Sequence, residues 1–537
     1  MHFATAVDQV IQRNLSRLQK PGVIFMRPGY KSKGGNLTTD PAIVVTVDSK
    51  RRGVAPRDRV PPGVGGYATD VRQASRMHLL RASNPDLYAE VAATAPPELQ
   101  RPIFPYERDA AGQLVAPAIA EAAARVAARK PKKDHIDYSP PSNRPLAPID
   151  DQFTITCHAS PDAGWPTLEP FLLATTHRLT MAMYEFTAPY IVGAVIARLR
   201  GLKFDLVLDD PHDPTKRDQT NDETRAQLAN GVGTGLTIAW ALEADDPHVS
   251  AAIFPSAYHI KAIVRDGAAI WLSSGNLNRT NQPNINPIRN PAAARAIVPG
   301  CDRDWHVIVD HPGLASLFET YIHNDLAVAS QYQRPGTNAT MAHKALNSHA
   351  KPPARGRGRV PHTYFPARSF TERMIIQPVL TPDNYEACIL PLIRKSTETF
   401  VMQTQYINPP KSTPSPDTAA ARADEVLESL IAAIAELIRE NVRVRLIMSE
   451  FETQDKVELL QARGIPQSCI KIQQNVHNKG IIVDSSFVVV GSQNWSGQGV
   501  SLNRDASLII RNEKAARYWG DIFDHDWQYM VEAGGLD

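Results

Sequence analysis

The sequence predicts an α/β protein made of two pseudo-symmetric α-β-α sandwich halves behind a small N-terminal α/β domain. The first observation is a stretch that returns. Residues 258–266 read Tyr-His-Ile-Lys-Ala-Ile-Val-Arg-Asp, and residues 476–484 read Val-His-Asn-Lys-Gly-Ile-Ile-Val-Asp. Ser and Asn trail each copy at matched offsets. Ser274 lies 15 residues after His259 and Asn276 lies 17 after it; Ser492 and Asn494 keep the same intervals from His477. The second observation is the order of elements ahead of each copy. Leu179–Tyr184, Ile191–Leu199 and Lys203–Leu208 read strand, helix, strand. Thr399–Thr404, a helix from about Asp424 to Glu440, and Val442–Met448 read the same. A repeated β-α-β order supports duplication independently of the motif.

Residues 1–80 form the small N-terminal unit. Phe3, Val7, Val10, Ile11, Leu15 and Leu18 make a helical stripe over residues 1–20. Strands follow at Val23–Met26, Ala42–Val47 and Tyr67–Val71, punctuated by Gly34-Gly35 and Pro61-Pro62-Gly63. The unit resembles a small accessory module found ahead of some bacterial hydrolase domains, a resemblance that implies no activity.

Residues 81–150 are a Pro- and Ala-rich linker with a helix over Ala118–Arg129 and a basic cluster at Arg129–Lys133. The first half runs over 151–332 and the second over 370–537. Residues 333–369 join them through a basic tract, Arg355-Gly-Arg-Gly-Arg359.

Within each motif, the apolar β-branched runs 262–265 and 480–483 read as strands. Asp266-Gly267 is a strong hairpin dipeptide and Asp484-Ser485 a weaker one. A two-residue turn at each site places His259 opposite Ser274 and His477 opposite Ser492. His259, Lys261, Ser274 and Asn276 then share one polar patch, and His477, Lys479, Ser492 and Asn494 another. Asp266 and Asp484 fall roughly 16 Å away at the hairpin tips, as turn or salt-bridge residues. An imidazole, an ammonium, a hydroxyl and an amide together suit a tetrahedral oxyanion. Two facing patches would hold one phosphodiester between two histidines, one attacking phosphorus and one protonating the leaving oxygen. No metal or other cofactor enters this scheme.

The duplicated pattern resembles the HxKxxxxD signature of the phospholipase D superfamily over roughly residues 150–537. The second copy matches the longer form, with GSxN after six residues; the first has Ser273 where the family usually has Gly. The resemblance implies phospholipase D-like sandwich halves paired about a pseudo-twofold axis. It implies His259 as nucleophile and His477 as general acid, with Lys261, Lys479, Asn276 and Asn494 on the phosphate oxygens. It also implies an acidic residue that orients each histidine. Cys301-Asp-Arg-Asp304 and Leu502-Asn-Arg-Asp505 align as its source, leaving open which Asp serves which His.

Composition bounds the rest. A net charge of +2 over 537 residues gives no global case for nucleic acid. Four dispersed cysteines make neither a zinc set nor a disulfide framework. Met1–Gly22 is too polar for a signal peptide, and no run approaches a membrane span. The expectation is a cytoplasmic protein, with signal-independent secretion left open. Monomer is expected because both motifs lie in one chain. His158, His177, His212, His306, His311 and His323 lack the company of Lys, Ser and Asn and read as structural. Trp495 reads equally as a loop cap or as lining for the substrate mouth. The leading function is hydrolysis of a phospholipid head-group ester, with peripheral membrane contact. A nuclease using the same two histidines is the alternative, followed by a non-catalytic binding relative and a phosphatidyltransferase.

Overall fold

The computed structural model describes residues 3–33, 36–48, 54–74, 107–108, 114–115, 133–135, 138–209, 218–241, 250–252, 254, 257–331, 363–410, 419–450, 452 and 454–530. The expected helix at 118–129 and the Arg-Gly tract lie outside these residues.

The N-terminal stripe folds as α1 (Phe3–Arg13), broken from a further turn at Leu15–Leu18 by Asn14. It covers a four-stranded sheet, β1 (Val23–Lys33), β2 (Asn36–Val47), β3 (Gly63–Val64) and β4 (Tyr67–Gln73), in the order β1-β2-β4-β3. Val7, Ile11 and Leu18 pack on Val23, Met26, Ile43 and Val45, a core separate from the rest of the molecule.

Fourteen further strands join one sheet, while Lys133–His135 with Ser250–Ala252 and Glu107–Arg108 with Leu114–Val115 form separate two-stranded pairs. The first half contributes β5 (Ile149–Ser160), β6 (Arg178–Met183), β7 (Lys203–Leu208), β8 (Leu236–Trp240), β9 (Lys261–Arg265), β10 (Ala269–Ser273) and β11 (Asp304–Asp310). The second contributes β12 (Arg368–Thr381), β13 (Thr399–Thr404), β14 (Arg443–Met448), β15 (Ile470–Ile472), β16 (Lys479–Val483), β17 (Phe487–Gly491) and β18 (Asp505–Arg511). Their order is β8-β7-β6-β9-β10-β11-β5-β12-β18-β17-β16-β13-β14-β15. Read from either end, this is the same sequence of equivalent strands, so the duplication is a pseudo-twofold about the seam between β5 and β12. That seam is antiparallel from Arg368 opposite Cys157 to Ile376 opposite Ile149. Thr154 with Thr371 and Thr156 with Ser369 exchange hydroxyl hydrogen bonds of 2.7 Å across it.

Helices cover both faces, as a sheet buried on two sides requires. Helix α2 (Gly164–Leu173) and α3 (Pro189–Leu199) build one core on the first half. Helix α4 (Tyr385–Arg394) and α5 (Ala419–Arg439) build another on the second. On the opposite face, the helices Pro312–Ser330 and Glu513–His525 share a single core that runs across both halves, including Phe318, Tyr321, Trp305, Trp519 and Phe523. The strands lining it are near-continuous apolar runs, which is why the sequence reads them so clearly.

The hairpins depart from expectation in register. The Asp-Gly turn forms: Asp266 and Gly267 have φ of 54° and 65°, and the Ala268 amide donates to the Arg265 carbonyl at 3.0 Å. The ladder then resumes with Arg265 opposite Ala269, not Ala268. The second hairpin repeats this, with Val483 opposite Phe487. A one-residue bulge follows each turn, so every cross-strand partner moves by one and the predicted face-sharing of His with Ser is lost. His259 and His477 also precede their strands rather than lie in them.

Asp266 and Asp484 are the turn residues expected. The Asp266 carboxylate accepts from the amides of Thr176, His177 and Arg178. Asp484 accepts from Thr397, Glu398 and Thr399. Each ties its hairpin tip to the entry of the neighbouring antiparallel strand. Partial burial alone would raise the Asp266 carboxyl; the three amides outweigh it and hold it down to about 2.

Candidate active site

The two motif segments meet the opposite half. The Arg303 amide donates to the Asn475 carbonyl at 2.8 Å, and the His477 amide to the Arg303 carbonyl at 3.1 Å. Related by the pseudo-twofold, the Arg504 amide donates to the Ala257 carbonyl at 2.9 Å. Strand β11 therefore begins beside His477, and β18 begins beside His259.

This exchange decides the pairing that the sequence left open. His477 Nδ1 lies 3.0 Å from Asp304 Oδ1, and His259 Nδ1 lies 2.8 Å from Asp505 Oδ1. Each histidine is held by the other half's aspartate. The groups are close enough that His259 feels the charges of Lys261, Lys479 and His477.

The lysines project from the first residues of β9 and β16. Lys261 and Lys479 donate to the carbonyls of His259 and His477, fixing the backbone of each motif. Lys261 Nζ also lies 5.0 Å from the ring centre of Tyr184, which packs edge-on against His259. Lys479 Nζ sits 3.2 Å from His477 Nε2.

The serines behave differently from expectation. Ser274 Oγ donates to Asp304 Oδ1 at 2.8 Å, and Ser492 Oγ to Asp505 Oδ1 at 2.5 Å. Both are fully buried. Their hydroxyl hydrogens are spent on the carboxylates, so the structure sets them behind the histidines and not against a phosphate. The bulge is the cause, because it turns each hydroxyl toward the adjoining strand. The asparagines are both buried and are not equivalent. Asn276 Nδ2 donates to Glu185 Oε2 at 3.1 Å, and Asn278 donates to the same oxygen at 2.6 Å. Among the described residues, Asn494 has no comparable carboxylate contact. Trp495 is a core residue, 1% exposed, with its indole N–H on the Tyr385 hydroxyl at 3.1 Å. It does not line the mouth.

Several residues went unread in the sequence. Glu185 is one; nothing in its local pattern marks it. Asn281, in the polar stretch Thr280–Asn284 that the sequence sets close to the first patch, donates to Asp304 Oδ2 at 2.8 Å. Arg303 and Arg504, each just ahead of a site aspartate, are buried. Arg303 is buried against Asp162 and Asp526, and Arg504 against Asp325 and Asp383. The Arg preceding each aspartate in the aligned quartets was the available signal. His306 is structural as expected, bridging Ser273 and Ser160 at 2.7 and 2.8 Å. Its bond to Ser273 explains why a serine fits where the second copy needs glycine. At Gly491 an added Cβ would fall 1.7 Å from Ser507 Oγ.

Electrostatics separate the two histidines. Burial, reinforced by Lys261, Lys479 and His477, pushes His259 well below the usual imidazole range. Burial raises its partner Asp505 to about 7. Burial also lowers His477, with Lys479 adding to it, but Asp304 opposes the shift. Asp304 itself is held far below the usual carboxylate range: burial works against this, and His477 and Lys479 prevail. Burial brings Lys479 down to about 8.

A family profile described as "Cardiolipin synthase, PLD-like domain" matches residues 389–527, which carry the second motif and its aspartate. That match makes residues 389–527 similar to a phospholipase D-like domain. A curated relative of this phospholipase D-like chain is the mitochondrial cardiolipin hydrolase of Canis lupus familiaris. It is 29% identical over 99 residues, covering 18% of this chain and 39% of the relative, well short of the relative's full length. Among solved structures, the phosphatidylserine synthase of Haemophilus influenzae is 13% identical. It covers 69% of this chain and 85% of its own, with a TM-score of 0.42. Nuc from Salmonella typhimurium, titled a phospholipase D family member, is 19% identical. It covers 28% of this chain and 93% of its own, with a TM-score of 0.22. Scores this low carry no argument about activity. No helix among the described residues is long and apolar enough to cross a membrane.

Proposed function

We propose that this phospholipase D-like chain is a phosphodiesterase that hydrolyses a phospholipid head-group ester through a phosphohistidine, without a metal cofactor. The observation that carries the reading is the crossed pair of His–Asp contacts. The Nδ1–H of His259 donates to Asp505 Oδ1, which leaves the Nε2 lone pair to attack phosphorus. Asp304, kept ionised, holds His477 as an imidazolium whose Nε2 proton goes to the leaving alkoxide as the P–O bond breaks. His477, now neutral, takes a proton from water. The oxygen of that water attacks phosphorus, the P–N bond breaks, and a phosphate monoester leaves with His259 restored. Lys261, Lys479 and Asn494 are the donors for the phosphate oxygens. Ser274 and Ser492 orient the aspartates.

Lipid is favoured over nucleic acid on two grounds. The matching profile and the curated relative are named for cardiolipin, a phospholipid, and the chain's net charge of +2 offers no broad basic field.

Two measurements test the chemistry and the substrate. Mass spectrometry after an acid-free quench is expected to find a phosphoryl adduct on His259, and an adduct elsewhere overturns the assignment. Turnover on phospholipid vesicles, single-stranded DNA, duplex DNA and RNA decides the substrate; activity on nucleic acid alone replaces the lipid reading with the nuclease one. EDTA is expected to leave the rate unchanged, since the nucleophile, the acid and the charge donors are all side chains.

A further inference from the structure

Twenty-seven residues separate Asn276 from Asp304, whereas ten separate Asn494 from Asp505. The first half thus carries an insertion at the rim of the site. It is anchored at both ends on the machinery. Asn281 donates to Asp304, and the Pro299 carbonyl accepts from Asn475 Nδ2 at 3.0 Å, two residues ahead of His477. Buried Pro287, Ala294 and Val298 hold its underside. Its outer side is unlike the rest of the surface. Large exposed hydrophobics among the described residues are Leu173, Ile288 and Ile297, and the last two sit here at 42% and 48% exposure. Arg289 and Arg295 lie beside them, exposed and without ion pairs among the described residues. From 283 to 301 there is no acidic residue.

We propose that residues 283–300 are a membrane seat that docks the site rim on an anionic phospholipid surface; this rests on the phospholipid reading of the same site. The chemistry selects that partner. Ile288 and Ile297 gain by leaving water for the acyl boundary, while the flanking guanidinium groups stay at the level of the lipid phosphates. The lack of carboxylates removes repulsion from an anionic leaflet. Two arginines alone make too few phosphate contacts to hold a nucleic acid, and the isoleucines would stay in water against one. Because the insertion is tied to Asp304 and to the approach to His477, seating it brings the leaving-group side of the site to the head-group layer.

Flotation of the full chain with vesicles of phosphatidylcholine, or of equal parts phosphatidylcholine and phosphatidylglycerol, tests this. The native protein is expected to bind the mixed vesicles more tightly. Ile288→Ser with Ile297→Ser is expected to weaken binding to them about tenfold or more. Arg289→Gln with Arg295→Gln is expected to remove the preference for the anionic lipid, a loss of about tenfold or more. Both pairs are expected to retain turnover of soluble bis(p-nitrophenyl) phosphate. Unchanged vesicle binding in either pair overturns the proposal, as does a large loss on the soluble diester, which would place the loop in the chemistry. Native protein that binds vesicles through this rim but leaves lipid intact keeps the seat and removes the substrate assignment. Native protein that cleaves dispersed short-chain phospholipid but ignores vesicles does the reverse.

Discussion

At the scale of single residues, the two histidines share a motif and differ in environment. His259 is surrounded by cations and paired with a carboxyl raised to about 7; His477 faces one that remains ionised. Their roles separate by leaving group. With a p-nitrophenyl diester, whose leaving group needs no proton, His477→Ala is expected to keep a burst of p-nitrophenol. His259→Ala is expected to lose it, with turnover down by about 10⁴-fold or more. A burst retained in His259→Ala moves the nucleophile elsewhere. The pH profile follows from the same shifts. His259 must be neutral, and it loses its proton well below 6.5. His477 must be charged, and its lowered pKa brings the basic limb of kcat/KM to the acidic side of 6.5. A bound phosphate draws Lys479 onto its oxygens and raises His477, so the basic limb of kcat is expected at higher pH than that of kcat/KM. Coincident limbs, or an optimum above neutral, contradict this account. The histidines and lysines were legible because their spacing repeats. Glu185 was not, because its link to Asn276 and Asn278 joins residues about ninety positions apart through the fold alone.

At the scale of elements, the hairpins set how close the two halves come. Gly480 lies on β16 where an added Cβ would fall 2.2 Å from the Trp305 ring, next to Asp304. Gly480→Ala is expected to cost about 1–3 kcal/mol, read as a lowered midpoint in urea with an unchanged slope. It is also expected to lower kcat by displacing Asp304; an unaltered midpoint would mean that the ring yields freely. The strands and helices were readable from apolar periodicity and from the Asp-Gly turn. The register was not. A bulge adds one residue after a correctly formed turn, and nothing in the dipeptide announces it. That one residue is why Ser274 and Ser492 serve the aspartates and not the phosphate.

At the scale of the whole molecule, buried neutral histidines make the fold sensitive to acid. Burial pushes His158 well below the ordinary range and brings His306 down to about 4. An unfolded imidazole binds its proton below about 6.5, while these two resist until lower pH. The unfolded chain therefore holds more protons in this window, and stability falls as pH drops from about 6.5 toward 4. Each of the two groups contributes roughly 1.4 kcal/mol per pH unit. His259 and Asp505 are shifted in opposite directions, and Asp325, raised to about 6 by burial, also opposes the histidines. Urea midpoints measured across this range are expected to fall steadily; a flat series would mean that these imidazoles are reached by water.

By itself, the sequence determined the duplication, the α/β class, and the histidines, lysines and aspartates of the candidate site. Those features are carried by local periodicity and by repeated spacing, both written along the chain. The tertiary structure alone decided that each aspartate crosses to the other half's histidine, that the serines stand behind them, and that an arginine-bearing apolar rim overhangs one side. Such relations depend on which chain segments a sheet of fourteen described strands brings side by side. Contacts between segments 173 and 246 residues apart leave no mark in either segment's own pattern.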